Sequence, residues 1–545
     1  MIRETSDQQL LLKDFIHPFG CDLNPSNRWV KLAEVVPWGG LAAPYNAKMS
    51  ASQGRPCKPA RLVVGALIIK HRLNLSDEET VLQIQENPYL QFFCGFGEYV
   101  DAPPFVPSLF VEIRKRMGAD LFASFEQAIV DQATTLQKRK RSNKHRDDDS
   151  GTPPPASIGS EHAGKVAEKA SHQGRLLMDA TVADQMIRFP TDIGLLNEAR
   201  EISESLIDEL HKQAQGKKPR TYRQTARKAY LSISKRKRAG RRAIRKGIRQ
   251  QLQYLRRNLG HIDRMLDDVM GMKQASMLIP MEVTAFPLSH KLQRRYWIIQ
   301  HVYAQQQAMY KSKSMRCEDR IVSIAQPHVR PIIRGKAGKR VEFGSKISVS
   351  MLGKLAFVDH LSWDAFNESQ DLIAQVKRYR ERFGFFPEVV LADGIYGTRT
   401  NRAWLKEHGI RFGGKPLGRP KKLTNANVDE IRRLKQQRRE DERNRIPVEG
   451  KFGQGKNGYR LNQIRARLAS TSEAWVRSIF LVMNLMALLR FLLSFLRMNA
   501  SRGAVAGWLS ATATQYQHIF AALARSCPLE WPTLFRCDQA EARSF

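Results

Sequence analysis

Three carboxylates and two cations in this chain stand in positions that suit chemistry on phosphate esters. In "PEVVLADGIYGTRTNRAWLKEHGI" (387–410) the apolar run Val389-Val390-Leu391 ends on Asp393, with Gly394 next. Turn chemistry alone accounts for an Asp-Gly pair. A second apolar run, in "RLLMDATVADQMIRFPTD" (175–192), also stops on an acid, Asp179. The stretch "RNRIPVEGKFGQGKNGYRL" (443–461) adds Arg445, Glu449 and Lys456 in the spacing R-x3-E-x6-K. Read as helix, it puts Arg445 one turn before Glu449 on the same face. Two aspartates and a glutamate from separate elements are the hard oxygen donors that Mg2+ takes, with Mn2+ as a substitute. Two such ions, roughly 3.5–4 Å apart, activate the attacking oxygen and stabilise the leaving oxygen of a phosphodiester. Arg445 and Lys456 would then hold flanking phosphates.

Blander readings compete at each position. Asp179 could be a satisfied strand-end acid, with Asp184 and Asp192 as neighbours; Asp192 follows "FPT" and reads as a cap for the helix "IGLLNEAR". Asp359 ends the apolar run "LAFVD" and is the strongest rival ligand. Glu449 shares a charged stretch with Glu440 and Glu442, where a carboxylate is usually a solvated face.

The elements that must position these acids read as a mixed α/β set. "RVEFGSKISVSM" alternates Val341, Phe343, Ile347, Val349 and Met351 on one face, and "LGK" (352–354) turns it into "LAFVDHLSW". A helix over about 367–383 leads to the strand before Asp393, which gives a sheet of hairpins plus a crossover. Upstream, residues 1–136 read as an all-helical domain, with Ser76 and Glu79 spaced as a capping box. Residues 137–174 lose apolar periodicity and read as a disordered linker. Ser470 and Glu473 form a second capping box ahead of "EAWVRSIFLVMNLMALLRFLLSFL". That run is nearly long enough for a bilayer, but Asn484 and Arg490 interrupt it, and it reads as a buried core helix. Residues 497–545 are a weakly patterned tail.

The charge balance points to a partner. The chain has 89 Lys+Arg against 53 Asp+Glu, a formal net charge of +36 in 545 residues. Nucleic acid is the polyanion that such an excess fits best, and no membrane partner is expected. The charge concentrates in residues 216–258, which hold 17 Lys and Arg and no acid. Lys235, Arg236, Lys237, Arg238, Arg241 and Arg242 are its centre and the expected DNA-backbone contacts. "GRP" at 418–420 reads either as a minor-groove insert or as a plain basic loop. Six scattered cysteines with no CxxC pair fit reduced thiols in the cytosol.

Taken in order, "MDATVADQMIRFPTDIGLLNEARE", "VEFGSKISVSM…AFVDHLSWDAFNES", "ADGIYGTRTNRAWLKEHGIRFGGKPLGRPKK" and "RIPVEGKFGQGKNGYRL" resemble a bacterial insertion-sequence transposase of the DDE type, most similar to the IS-five branch. The resemblance covers about 55–135 and most of 175–490. It implies a ribonuclease-H-like mixed sheet with flanking helices over 175–197 and 318–496, interrupted by a basic helical insertion at 198–317. It also implies Asp179, Asp393 and Glu449 as catalytic metal ligands, with two Mg2+ ions. The expected activity is binding of terminal inverted repeats, phosphodiester hydrolysis and strand transfer on double-stranded DNA. A homodimer at synapsis and a cytoplasmic, nucleoid-associated location go with it. Related families place a tyrosine three residues before the arginine; here that position is Glu442. A nuclease without joining activity, or a DNA-binding protein with a dead core, are the competing functions.

Overall fold

The computed structural model describes residues 12–17, 20, 22–50, 56–145, 172–214, 216–277, 286–333, 341–418 and 427–494. Seven helices come first: α1 (Arg28–Val35), α2 (Trp38–Asn46), α3 (Ala60–Leu73), α4 (Asp77–Glu86), α5 (Pro88–Phe93), α6 (Leu109–Arg116) and α7 (Ala119–His145). The Ser76 hydroxyl accepts the Glu79 N–H at 3.0 Å, as its spacing requires. The expected linker begins as helix, because α7 continues through "QKRKRSNKH". Extending a helix already nucleated costs little, and straight-chain Lys, Arg and Gln favour it. Residues 146–171 of that linker lie outside the described residues. Gln173 is already pinned, donating its N–H to Phe386 O (2.9 Å) and accepting Tyr379 OH (2.8 Å).

Six strands form one mixed sheet: β1 (Arg175–Asp184), β2 (Arg330–Ile333), β3 (Val341–Leu352), β4 (Leu355–Ser362), β5 (Val389–Leu391) and β6 (Arg411–Phe412). β3 runs antiparallel to β1 on one edge and to β4 and β2 on the other. β5 joins β1 in parallel, and β6 joins β5 in parallel. A two-residue hairpin connects β3 to β4, with Gly353 at φ 58°, a conformation glycine adopts without strain. β1 does not end at Asp179, as its apolar run suggests. Residues 180–184, small or β-branched except for Asp184, keep pairing with β3 to the Asp184–Gly344 match. A Cβ on Gly344 would sit 1.9 Å from Ala183 O, so this part of the ladder closes only over glycine.

Four helices follow β1 before the sheet resumes: α8 (Asp192–His211), α9 (Arg223–Ser234), α10 (Arg241–Met277) and α11 (His290–Ser312). They share an apolar cluster of their own, including Leu196, Leu206, Leu255, Ile262 and Ile299. Thr191, not Asp192, caps α8 by accepting the Gly194 N–H at 3.2 Å. Asp192 instead pairs with Arg320 at 2.6 Å.

The last helices are α12 (Leu372–Phe383), α13 (Arg399–Glu407), α14 (Val428–Gly458) and α15 (Ala469–Ser494). α12 packs on one sheet face with Leu176, Met178 and Val390. The other face, with Leu177, Val349 and Leu391, belongs to a continuous apolar cluster that includes α15 and the N-terminal helices. α15 is thus a core helix. Its interrupting Asn484 is fully buried and bonds both the N–H (2.9 Å) and the C=O (2.8 Å) of Ala356. Ser470 does not cap it, because the helix starts at Ala469; Glu473 accepts the Trp363 indole N–H instead, at 2.8 Å.

A buried ion cluster ties α7 to the sheet. Arg382 on α12 lies 2.7 Å from Asp359 and 3.1 Å from Glu126. Burial pushes Glu126 up to about 7, against the pull of Arg382. Arg382→Met should lower stability by about 3–5 kcal/mol at pH 8, because two acids are left without their cation. Glu126 has a folded pKa above its unfolded one, so its contribution is present below the unfolded value and lost as pH rises through the folded value. The loss in the variant should therefore shrink toward pH 5 as Glu126 binds a proton. Urea midpoints at both pH values measure this, and equal losses would remove Glu126 from the cluster.

Candidate functional site

β1 holds Asp179 at its centre, opposite Val349 of β3. Side chains alternate along a strand, so Asp179 faces the same side as Leu177, toward α14 and α15. β5 pairs with β1 as Leu177↔Leu391. The paired register ends there, and Asp393 follows two residues beyond the end of β5, at the start of a 3-10 turn (Gly394–Tyr396). Asp393 is exposed and also serves the turn, since its Oδ1 accepts the Gly394 N–H at 2.7 Å.

α14 crosses this edge of the sheet, packing on β1 and β5. Buried Asp441 receives both guanidinium nitrogens of Arg411, at 2.6 and 2.9 Å, which fixes the helix to β6. Further on, buried Lys451 donates to Lys354 O in the β3–β4 turn (2.9 Å), and burial pulls its pKa down to about 8. Between these anchors lies the expected motif. Arg445 donates to Glu449 at 3.0 Å and stands 4.0 Å from Asp179, so one guanidinium lies between two carboxylates. Asp179 is pushed up to about 6, first by burial, against the Ala180 N–H it accepts at 2.8 Å. Glu368 and Glu449 raise it further and Arg445 lowers it.

The remaining assignments separate. Lys456 faces Glu342 at 3.5 Å. Lys235, Arg236, Lys237, Arg238, Arg241 and Arg242 are all exposed at the junction of α9 and α10. Asp359 is buried in the Arg382 cluster and serves packing. Glu442, in place of the tyrosine, is exposed and pairs with Arg438 at 3.4 Å. Arg419 and Pro420 lie outside the described residues. A concavity of about 960 Å³ runs along α14 from Val428 to Ile446 and is lined by none of the three acids.

The sequence reading misses Glu368. It opens a 3-10 turn (Glu368–Asp371) and pairs with Lys346 of β3 at 2.9 Å. Asn401 donates to Ser369 O (2.7 Å) and Tyr396 O (2.9 Å), which staples this turn to the turn that Asp393 caps. In "DAFNESQDL" the residue reads only as an acid at a helix start; the fold alone brings its charge to Asp179.

The donors at this edge suit a divalent ion in kind. They are hard carboxylate oxygens, Asp179 feels the charge of Glu368 and Glu449, and a cation already stands among them. Among the described residues no three acids, histidines or cysteines are gathered tightly enough to hold an ion as they stand. The Arg445–Glu449 pair offers little resistance to rearrangement. Glu449 is 55% exposed, and helix pairs of this exposed kind contribute about 0.3–0.5 kcal/mol.

Two family models match the chain: the Transposase DDE domain over residues 390–486, and the Transposase domain (DUF772) over 18–116. The first holds Asp393, Arg445, Glu449 and Lys456; the second covers the N-terminal helices as far as α6. The uncharacterized protein ORF8 in the nfe locus of Rhizobium meliloti is 38% identical over 111 residues, 20% of this chain and 53% of that protein. The chain thus spans about half the length of that relative. No solved structure matches.

Carboxyl-carbon NMR titration reads this neighbourhood directly. Glu449→Gln and Glu368→Gln should each lower the Asp179 pKa, and Arg445→Gln should raise it. An Asp179 that ignores Glu449→Gln would show that the two carboxylates do not share a field.

Proposed function

We propose, from the premise that the chain is an insertion-sequence DDE transposase, that it binds the terminal inverted repeats of its own element, hydrolyses phosphodiester bonds at the ends and directs the freed 3′-hydroxyl onto target DNA. The observation that carries this reading is the Arg445 guanidinium between Asp179 and Glu449, with Asp393 two residues past the end of β5, the strand parallel to β1. The strand order supports a ribonuclease-H-like core. Without the short β2, it runs β4-β3-β1-β5-β6, antiparallel on the β3 side of β1 and parallel on the β5 side. Helices α8–α11, which have their own apolar cluster, are then an insertion between the first and second core strands.

Asp179, Asp393 and Glu449 would hold two Mg2+ ions. When bound, these supply Lewis-acid activation of the attacking oxygen and charge neutralisation at the leaving one. Burial keeps Asp179 away from bulk water. Arg445, released from its two carboxylates, is placed to grip a phosphate beside the scissile bond. Lys456 stands about three turns beyond Arg445 on the same helix and extends that grip. The exposed cations of 216–258 draw in the duplex through its backbone, and two copies of the chain would hold the two element ends together.

Asp179→Asn, Asp393→Asn and Glu449→Gln should each cut end cleavage by about 10³-fold or more. Gel-shift affinity for end DNA should stay near wild type. Substantial cleavage by any one variant would remove that residue from the site, and cleavage by the wild type with no joined product would make the protein a nuclease.

Neutralising four of Lys235, Arg236, Lys237, Arg238, Arg241 and Arg242 should flatten the salt dependence of binding. The log–log slope should fall by about 0.9 for each phosphate that is no longer neutralised. An unchanged slope would place the duplex elsewhere.

A further inference from the structure

Within the basic helices one group of side chains is built unlike the rest. Asp208 on α8 pairs with both Lys218 and Arg223, at 2.5 Å each, and so pins both ends of the segment 218–223. Between those pins, Thr221 is buried, while Arg220 and Tyr222 are exposed. Tyr222 has φ 55° and ψ 33°, the left-handed region that an L-residue with a bulky side chain rarely occupies. It offers α9 no side-chain cap in return. The strain instead presents its ring, 41% exposed, to two guanidiniums: Arg257 of α10 at 4.7 Å from the ring centre and Arg220 at 5.0 Å.

Neither arginine has a carboxylate partner among the described residues. Two like charges gathered on one exposed ring repel each other, and each stacking contributes only about 0.5–1 kcal/mol at a solvated site. An anion bound by these guanidiniums would offset that repulsion. The ring limits their rotamers in advance, so less freedom is lost on binding than for a free surface arginine. Planar guanidiniums match phosphate oxygens two by two.

We infer that Arg220, Tyr222 and Arg257 form a preset clamp for one DNA backbone phosphate, which fixes the register of end DNA on the basic helices. The flanking cations of 235–242 supply diffuse attraction; this cluster supplies a fixed point. The inference rests on the proposed binding of element ends and deepens it.

Ethylation interference on end DNA, with the full chain, tests it. The wild type should show a discrete phosphate whose ethylation blocks binding. Arg220→Gln with Arg257→Gln should erase that position and lower the salt slope by about 0.9, for the one phosphate no longer neutralised. Neutralising Arg241 and Arg242 should lower the slope by a similar amount and leave the interference position in place. Tyr222→Gly is the discriminating variant: glycine accepts φ 55° without strain, so folding is preserved, and both arginines keep their charge. Its interference position should fade, whereas Tyr222→Phe should retain it. The same sharp position in wild type, Tyr222→Gly and the double arginine variant would overturn the clamp. If the wild type fails to bind end DNA at all, the proposed function fails with it, a result distinct from intact binding without a clamp.

Discussion

The position of β1 between an antiparallel and a parallel neighbour is the constraint on which the rest depends. Its pairing with β3 places Asp179 opposite Val349, and its pairing with β5 places Leu177 opposite Leu391. A slip of one residue on either side would turn Asp179 to the α12 face and separate it from Glu449. Gly344 guards one ladder against such a slip, because only a residue without Cβ fits beside Ala183. The alternating burial of Leu177, Val349 and Leu391 on the α15 face opposes it as well.

α14 has the complementary task. A helix this long, with charged residues on every side of its first half, has little apolar surface to hold it in place. Its second half packs Val448 and Phe452 into the main apolar cluster, and polar anchors fix the rest: Asp441 on Arg411, Lys451 on the hairpin turn, and the Gly458 carbonyl that accepts from Asn74 at 2.8 Å. Glu449 falls between the first two. Lys451 is costly to bury, as its lowered pKa shows, and that cost goes into fixing the helix beside the acids.

Much of this is legible in the sequence where chemistry and periodicity agree. The Arg445–Glu449 spacing announces a helical pair, Ser76 announces a cap, and the alternation from Val341 to Met351 announces a strand on a core. The failures share one cause, which is that a distant partner outweighs a local pattern. Asp179 looks like a strand end because apolarity stops there, yet Lys346 and Ser345 of β3 carry the strand further. Ser470 and Glu473 have cap spacing, but Trp363 claims Glu473. Asp359 matches Asp393 in local context, and only Arg382, on a different element, marks it as structural. Glu368 carries no local mark, because Asn401, a residue of a third element, brings its turn to the site.

The N-terminal helices and residues 390–486 match two different family models, yet they are not two independent cores. Phe93, Phe110 and Phe125 lie in the same apolar cluster as Val349, Phe452 and Ile479. The N-terminal helices also reach α12 and α14, through Glu126 on Arg382 and through Asn74 on the last carbonyl of α14. Any load on the N-terminal helices is therefore passed to α14 by a hydrogen bond and to α12 by a buried charge. A buried ion cluster resists sliding more than apolar packing does, since a small displacement leaves a charge without its partner. Such a joint keeps the N-terminal helices in a fixed relation to α12 and α14.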